Sequence, residues 1–126
     1  MFFPQPFLQP TTLYIKDTMI YLSGPMTGYP EFNYPAFRKA AKVLRDYGFK
    51  VFDPSECFDG DMNLPKEVYM KTDIKAVLEA DLVVTLEGWE DSSGAKLEVE
   101  VAQACGIPVT TYDMFITSTE EYSRKG

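Results

Sequence analysis

The chain has 126 residues, 45% of them hydrophobic, which is enough for one hydrophobic core and too few for two ordinary domains. Its formal net charge of −7 argues against a surface that follows nucleic-acid phosphates or lies on an anionic membrane, so neither partner is expected. The absence of histidine excludes Ser-His-Asp and Cys-His mechanisms, and with only two cysteines neither a zinc site of ordinary composition nor a disulfide scaffold is expected.

Residues 1–17 are predicted to form an irregular N-terminal arm, because they carry three prolines and several aromatic residues without a period. The arm lacks the basic start and the unbroken apolar stretch of a secretory signal, so a cytoplasmic protein is expected. Its phenylalanines and leucine would form an apolar patch if they were exposed together. We therefore expect the arm to pack against the domain or a neighbouring subunit, in a homo-oligomer of two or more chains.

Residues 18–126 are predicted to form a single domain in which strands and helices alternate. The predicted strands are 19–24, 49–54, 81–87 and 107–112. The predicted helices are 33–48 and 64–80, and residues 91–106 are predicted to be a loop that runs into a short third helix. This alternation predicts an α/β fold: a small doubly wound, flavodoxin- or Rossmann-like parallel sheet of four to five strands with helices on both faces. Residues 113–126 are polar, and their pattern is ambiguous.

The first two predicted helices have recognisable ends and apolar faces. Asn33 is a typical N-cap residue for the first helix, and Gly48 follows its last turn. The face of this helix that is expected to be buried consists of Phe37, Ala40, Ala41 and Leu44. In the second helix Asp73 lies at the edge of an apolar arc. That arc consists of Met70, Ile74 and Leu78.

The third predicted helix places a carboxylate on its apolar side. With successive residues about 100° apart, Glu98 falls on the apolar face of this helix. The other residues of that face are Ala95, Val101, Ala102 and Cys105. A carboxylate is rarely placed there unless it is paired or used, because taking its charge out of water is costly. Glu98 is therefore a candidate catalytic residue, and the alternative is a rotated helix that leaves it partly exposed.

Two loops are expected to form a ligand site. In doubly wound sheets, ligands bind beyond the carboxyl ends of the strands, where the strand order reverses. The segments after the first and third strands, 23–33 and 87–95, are the richest in glycine, small hydroxyl and aromatic residues. The candidate ligand-binding residues in them are Ser23, Gly24, Pro25, Met26, Asn33, Trp89, Ser92, Ser93 and Gly94. For the last three of these, capping of the third helix is an equally simple explanation.

Three segments together resemble the nucleoside 2-deoxyribosyltransferase-like superfamily, which includes deoxynucleoside 5′-monophosphate N-glycosidases. They are YLSGPMTGYPEFNYPAF (21–37), DIKAVLEADLVV (73–84) and GWEDSSGAKLEVEVAQACGIPV (88–109). The resemblance covers roughly residues 18–112. Within the superfamily, the chain most resembles a small branch that is common in phage and bacterial genomes and is known only as a domain of unknown function.

The resemblance implies roles for three catalytic candidates. Glu98, four positions after Gly94, matches the nucleophile that attacks the anomeric carbon of the sugar. Asp73, eight positions before the aspartate that opens the third strand, matches a residue that assists proton transfer and positions the sugar. Tyr21 matches an active-site tyrosine at the end of the first strand. The chemistry is consistent with these residue types, since a carboxylate can stabilise an oxocarbenium-like transition state and then trap it as an ester.

The resemblance is less complete for the groups that would bind a 5′-phosphate. Ser92 matches a hydroxyl that binds phosphate in the monophosphate glycosidases, and Gly24 matches a turn glycine. Pro25 and Thr27 stand where those glycosidases often show a serine and an arginine, which leaves a phosphate requirement open. A hydroxyl donated across a dimer has its candidates in Thr117, Ser118 and Thr119. For Trp89, stacking on a nucleobase and covering the end of the sheet remain alternatives.

The resemblance implies an N-glycosidase or deoxyribosyltransferase that cleaves the N-glycosidic bond of a (deoxy)nucleoside or its 5′-monophosphate. No organic cofactor and no metal are expected, and the expected partner is the small-molecule nucleoside or nucleotide. The main alternative is a non-catalytic module that uses the same crevice to sense or sequester a nucleotide. A third possibility is an interaction protein in which the site is vestigial.

Overall fold

The computed structural model describes residues 18–60 and 63–125. The predicted N-terminal arm, residues 1–17, lies outside the described residues. Within the described part of the chain, none of the helices combines the length and the apolar character that crossing a membrane requires.

The fold is built on a parallel sheet of four strands, as the alternation of elements predicts. The strands are Met19–Ser23 (β1), Lys50–Phe52 (β2), Leu82–Thr85 (β3) and Val109–Thr111 (β4). Their order across the sheet is β2-β1-β3-β4. The chain adds β2 on one side of β1 and then adds β3 and β4 on the other side. The strand order therefore reverses between β1 and β3, which is the position where a doubly wound sheet forms a crevice.

Helices cover both faces of the sheet, as predicted. They are Tyr34–Asp46 (α1), Lys66–Glu79 (α2), Ser93–Ala104 (α3) and Tyr112–Lys125 (α4). Short 3-10 turns precede α1, α2 and α3 at Pro30–Asn33, Pro54–Gly60 and Trp89–Asp91. The first helix ends at Asp46, and Gly48 follows its last turn as predicted, with a φ of +100° that is readily adopted only by glycine.

Side chains alternate along β1, so the strand contributes to one core on each face of the sheet. The hydroxyls of Tyr21 and Ser23 lie on the same face. Ile20 and Leu22 point to the face covered by α1 and α4, where Phe37 and Phe115 pack against them. Tyr21 points to the opposite face, which α2 and α3 cover. Because Ser23 lies two residues further along the strand, its hydroxyl points to the same face as that of Tyr21.

The ambiguous C-terminal segment forms helix α4, which completes the first core. Phe115 is buried, and its ring packs 5.3 Å from that of Phe49. The Thr111 hydroxyl oxygen accepts a hydrogen bond from the Met114 backbone N–H at 3.2 Å, in the manner of a helix cap. The sequence pattern is weak here because only Phe115 and Ser118 are buried among the residues of this helix whose side chains are described.

The apolar arc predicted for α2 is wrong, because the helix is rotated so that a different side faces the sheet. Val77 is the buried residue of this helix, whereas Leu78 is 53% exposed and Met70 and Ile74 are only half-buried. The sheet therefore contacts the side of α2 that carries Val77. Asp73 lies one turn before Val77 on that same side, so the helix turns its carboxylate inward.

Candidate active site

A cleft of about 520 Å³ opens beyond the carboxyl ends of β1 and β3, where the strand order reverses. Its walls come from the loop after β1, the start of α2 and the turn that leads into α3. All three catalytic candidates, Tyr21, Asp73 and Glu98, line this cleft. The candidate ligand-binding residues on its walls are Gly24, Pro25, Met26, Ser92, Ser93 and Gly94.

Glu98 lies on the buried side of α3 and is 6% exposed. The Tyr21 hydroxyl donates a hydrogen bond to its Oε2 at 2.9 Å, and the Ser23 hydroxyl donates one to its Oε1 at 2.7 Å. Both carboxylate oxygens are therefore fixed by neutral donors from the end of β1. Because each oxygen can accept a further hydrogen bond, the carboxylate retains free lone pairs for a ligand in the cleft.

The environment of Glu98 favours a carboxyl group that titrates near neutral pH. Burial raises its pKa to about 7, the negative charge of Asp73 acts in the same direction, and the hydrogen bonds from Ser23 and Tyr21 oppose the rise. Glu98 is in the second turn of α3, beyond the free N–H groups of the first turn. The donors that face its carboxylate are therefore the Tyr21 and Ser23 hydroxyls rather than backbone N–H groups of the helix N-terminus.

Tyr21 is a dependable hydrogen-bond donor. Its side chain is fully buried, and its ring stacks on that of Phe52 at 5.5 Å. Burial and the neighbouring charge of Glu98 hold the pKa of the Tyr21 hydroxyl well above its usual range. The phenol therefore keeps its proton at physiological pH and points it at the carboxylate.

Asp73 is the second carboxylate of the cleft. It is half-buried on α2, and burial raises its pKa to about 7. Its charge acts on Glu98 and on Tyr21, so the three groups form one electrostatic unit. The aspartate that opens the third strand has a structural role instead, since the Asp81 carboxylate accepts a hydrogen bond from the Met19 backbone N–H at 2.9 Å.

The loop after β1 contributes backbone and apolar groups to the cleft. Gly24, Pro25 and Met26 line the cleft. Ser23 does not line it, but its hydroxyl donates a hydrogen bond to Glu98. Asn33 occupies the N-cap position of α1 as predicted, but its side chain makes no capping hydrogen bond and instead donates to the Pro25 carbonyl at 2.9 Å. Asn33 thus fixes the shape of the loop without lining the cleft.

The turn after β3 caps helix α3 and also lines the cleft. The Ser92 hydroxyl oxygen accepts a hydrogen bond from the Ala95 backbone N–H at 3.2 Å, so Ser92 caps α3. It also lines the cleft, together with Ser93 and Gly94. Trp89 does not line the cleft and packs against the core that contains Tyr21.

The face predicted for α3 needs one correction. Ala95, Glu98 and Ala102 are buried as expected, but the fourth buried residue is Val99. Val101 is half-buried and Cys105 is exposed. The helix is therefore rotated by a fraction of a turn toward Val99, because it packs against both α2 and the sheet. Glu98 stays inside this rotated face.

Close packing at the start of the β1 loop predicts a difference between two glycines. A Cβ on Gly24 would lie 3.0 Å from the Leu86 Cβ, whereas a Cβ on Gly94 would make only an ordinary contact with the end of Met70. We expect Gly24→Ala to lower the free energy of unfolding by about 1–3 kcal/mol. Gly94→Ala should leave it unchanged or raise it by up to about 1 kcal/mol, because alanine favours the helix. Urea unfolding of both variants checks this, and equal stabilities would contradict the packing described for Gly24.

Several residues of the cleft were not predicted from the sequence to lie there. An acid, Asp91, a lysine, Lys66, and a group of aromatic rings line it. The rings belong to Tyr29, Phe32, Tyr34, Phe37 and Tyr69. The aromatic-rich stretch between β1 and α1 was the available signal for most of them, but alternation and helical phase do not indicate which rings face a ligand.

Comparison with known proteins places this architecture in a family. The family model for the domain of unknown function DUF4406 matches residues 18–111. No curated protein sequence matches the chain significantly. A solved 2-deoxyribosyltransferase from the psychrotolerant bacterium Bacillus psychrosaccharolyticus is similar, with a TM-score of 0.60 and 26% sequence identity. The similarity covers 74% of this chain and 70% of that one.

The similar bacterial enzyme was characterised as a biocatalyst for the synthesis of antiviral and antitumoral nucleosides. The four-stranded parallel sheet with its helices matches the deoxyribosyltransferase-like fold. The DUF4406 match extends from the residue before β1 to the last residue of β4 and thus includes the whole sheet. The chain therefore belongs to the DUF4406 family and has the deoxyribosyltransferase-like fold.

Proposed function

We propose that the protein is an enzyme that cleaves the N-glycosidic bond of a nucleoside or its 5′-monophosphate and uses Glu98 as the nucleophile. The reaction is either hydrolysis or transfer of the deoxyribosyl group to a second base. The similarity to a 2-deoxyribosyltransferase supports this reaction class. The further support comes from the side chains that converge in the cleft.

The observation that carries the proposal is the environment of Glu98. Its carboxylate is 6% exposed, faces a cleft, and receives one hydroxyl hydrogen bond on each oxygen. No arginine or lysine forms an ion pair with it among the described residues. A buried carboxylate without a cationic partner costs stability, and such a cost is typical of residues that are retained for chemistry.

The first chemical step would join the sugar to the enzyme. A Glu98 oxygen attacks the anomeric carbon while the C–N bond breaks, and the electron pair of that bond leaves with the base. Asp73 in its protonated form gives its proton to the departing base nitrogen. The products of this step are a glycosyl ester on Glu98, the free base and an ionised Asp73.

The second step would release the sugar. Water, or the nitrogen of a second base, attacks the same carbon and gives a proton to the Asp73 carboxylate. The ester bond breaks, and Glu98 regains its negative charge. Tyr21 and Ser23 are positioning residues in both steps, because their hydrogen bonds hold the carboxylate in one orientation while its charge changes.

Release of free base is the direct test of the proposed reaction. The protein is incubated with the common deoxynucleosides and with their 5′-monophosphates, each with and without a second free base, and the products are separated by chromatography. Hydrolysis yields free base and sugar, whereas transfer yields a new nucleoside only when the second base is present. A nucleotide-binding module would instead raise the melting temperature with a nucleotide and release no base.

The pKa values of the two carboxyl groups predict a bell-shaped pH profile. The proposed first step needs Glu98 ionised and Asp73 protonated, and the pKa of each group is about 7. We expect kcat/KM to be greatest close to neutral pH and to fall on both sides between about pH 5 and about pH 9. Asp73→Asn should be slower and should lose the alkaline limb. A wild-type rate that keeps rising through the alkaline range would contradict the acid role of Asp73.

A further inference from the structure

The loop between β1 and α1 contains a run of left-handed backbone. Glu31, Phe32 and Asn33 have φ values of +53°, +52° and +62°. L-residues adopt this region at a steric cost, and glycine, asparagine and aspartate are the usual exceptions. For a bulky residue such as Phe32 it is a clear departure from the preferred conformations. Strained backbone of this kind persists where the surrounding structure imposes it, and it clusters at ligand sites.

Burial in the core does not explain the strained position of Phe32. Its side chain is 37% exposed, and it belongs to neither of the two core clusters of the described residues. Its ring lines the cleft instead. The left-handed run thus holds a partly exposed apolar ring on the wall of the candidate active site.

Hydrogen bonds and ring packing fix this arrangement. The Phe32 backbone N–H donates to the Tyr29 carbonyl at 3.0 Å, and the Asn33 side chain donates to the Pro25 carbonyl at 2.9 Å. Tyr34 lies behind Phe32, with 6.3 Å between the ring centroids and an angle of 43° between the ring planes. Tyr34 is itself buried and is covered by the Arg38 guanidinium, 5.5 Å from its ring centroid. One side of the Phe32 ring is therefore supported.

We infer that Phe32 is a specificity-determining residue whose ring packs against the nucleobase of the bound substrate. The inference rests on the proposed function and assigns the part of the cleft in which the nucleobase lies. Asp73 and Glu98 line the cleft from α2 and α3, whereas the β1 loop contributes the rings of Phe32 and Tyr29. A sugar carries hydroxyls that suit the carboxylates, while a base has a flat face that suits an exposed aromatic ring.

The test measures binding separately from catalysis, in a Glu98→Gln background that leaves the probes intact. The probes are the four common 2′-deoxynucleosides, their 5′-monophosphates and 2-deoxyribose, which has no base, and affinities are measured by calorimetry. We expect Phe32→Ala and Phe32→Gly each to weaken nucleoside binding about tenfold and to leave 2-deoxyribose binding unchanged. Phe32→Tyr should restore most of the affinity. Leu78→Ala, which removes another exposed apolar side chain outside the cleft, should have no effect.

The two truncations also separate ligand contact from folding. Glycine relieves the left-handed strain and alanine does not, so Phe32→Gly should melt a few degrees above Phe32→Ala although both lose the same affinity. If both truncations bind nucleosides as the parent does, or if 2-deoxyribose binding falls in parallel, Phe32 does not contact the base. If neither the parent nor the wild type binds any nucleoside or 5′-monophosphate, the proposed function is wrong and this inference falls with it.

Discussion

Glu98→Gln is expected to reduce base release by about a hundredfold or more, which corresponds to roughly 3 kcal/mol of lost transition-state stabilisation. The amide keeps the size of the side chain and can still accept a hydrogen bond. It cannot carry the negative charge that attacks the anomeric carbon and stabilises the developing positive charge of the sugar. Affinity for a nucleoside should change much less, because the ground state of the substrate is neutral at that carbon.

Glu100→Gln is the matched control for this experiment. It makes the same chemical change two residues away in α3, at an exposed position that does not line the cleft. Base release by this variant should equal that of the wild type. Similar rates for the two glutamine variants on a good substrate would show that Glu98 is not the nucleophile, and the nucleotide-binding alternative would then replace the enzyme.

The second large effect concerns stability as a function of pH. The pKa of Glu98 is raised from its ordinary 4.5 to about 7 in the folded protein. Between these values the folded state binds more protons than the unfolded state, so the free energy of unfolding must fall as the pH rises. Asp73, whose pKa is raised from 3.8 to about 7, acts in the same direction. For Glu98 alone the loss between pH 4.5 and alkaline pH is about 3 kcal/mol.

Glu98→Gln should remove most of the pH-dependent loss of unfolding free energy that Glu98 contributes. Urea unfolding at acidic and at mildly alkaline pH measures the effect, with Glu100→Gln again as the control. We expect the wild type and the Glu100 variant to lose stability in parallel as the pH rises. The Glu98 variant should be the more stable protein by about 2 kcal/mol at alkaline pH and similar to the wild type at acidic pH. A wild type whose stability is constant across this range would contradict the buried, unpaired state of the carboxylate.

Glu98 was identifiable from the sequence because a charged residue interrupts an otherwise apolar helical face. Its hydrogen bonds to Tyr21 and Ser23 were not predicted from the sequence. Tyr21 and Ser23 were separate candidates, and they lie 77 and 75 residues away in the chain. The contact of these two residues with Glu98 depends on which strand lies beside β1 and on how α3 packs against the sheet. Helical and strand periodicity do not contain this information.

Helical phase also gives the relative directions of side chains without fixing the rotation of the helix. Periodicity placed Leu78 inside and Val101 with the buried face, whereas α2 and α3 turn Val77 and Val99 inward. These two helices pack against each other as well as against the sheet, so their apolar stripes alone do not determine which side is buried. Such rotations are decided by tertiary packing.

The left-handed run at Glu31–Asn33 could not be predicted from local preferences, because those preferences oppose it at Phe32. Asn33 was expected to cap a helix and instead closes the loop through the Pro25 carbonyl. Departures from local rules are concentrated at functional sites, where the rest of the fold offsets their cost. This loop is therefore the part of the cleft for which the sequence is least informative.

Trapping the glycosyl ester tests the central claim most directly. A 2′-fluoro-2′-deoxynucleoside carries an electron-withdrawing atom beside the reacting carbon, which destabilises the oxocarbenium-like transition states and slows hydrolysis of the ester. The wild type and Glu98→Gln are incubated with this compound, digested, and analysed by peptide mass spectrometry. We predict a fluorodeoxyribosyl adduct on Glu98 in the wild type and none in the variant. Release of base from the wild type without any adduct, or with the adduct on a different residue, would contradict the assignment of Glu98 as the nucleophile.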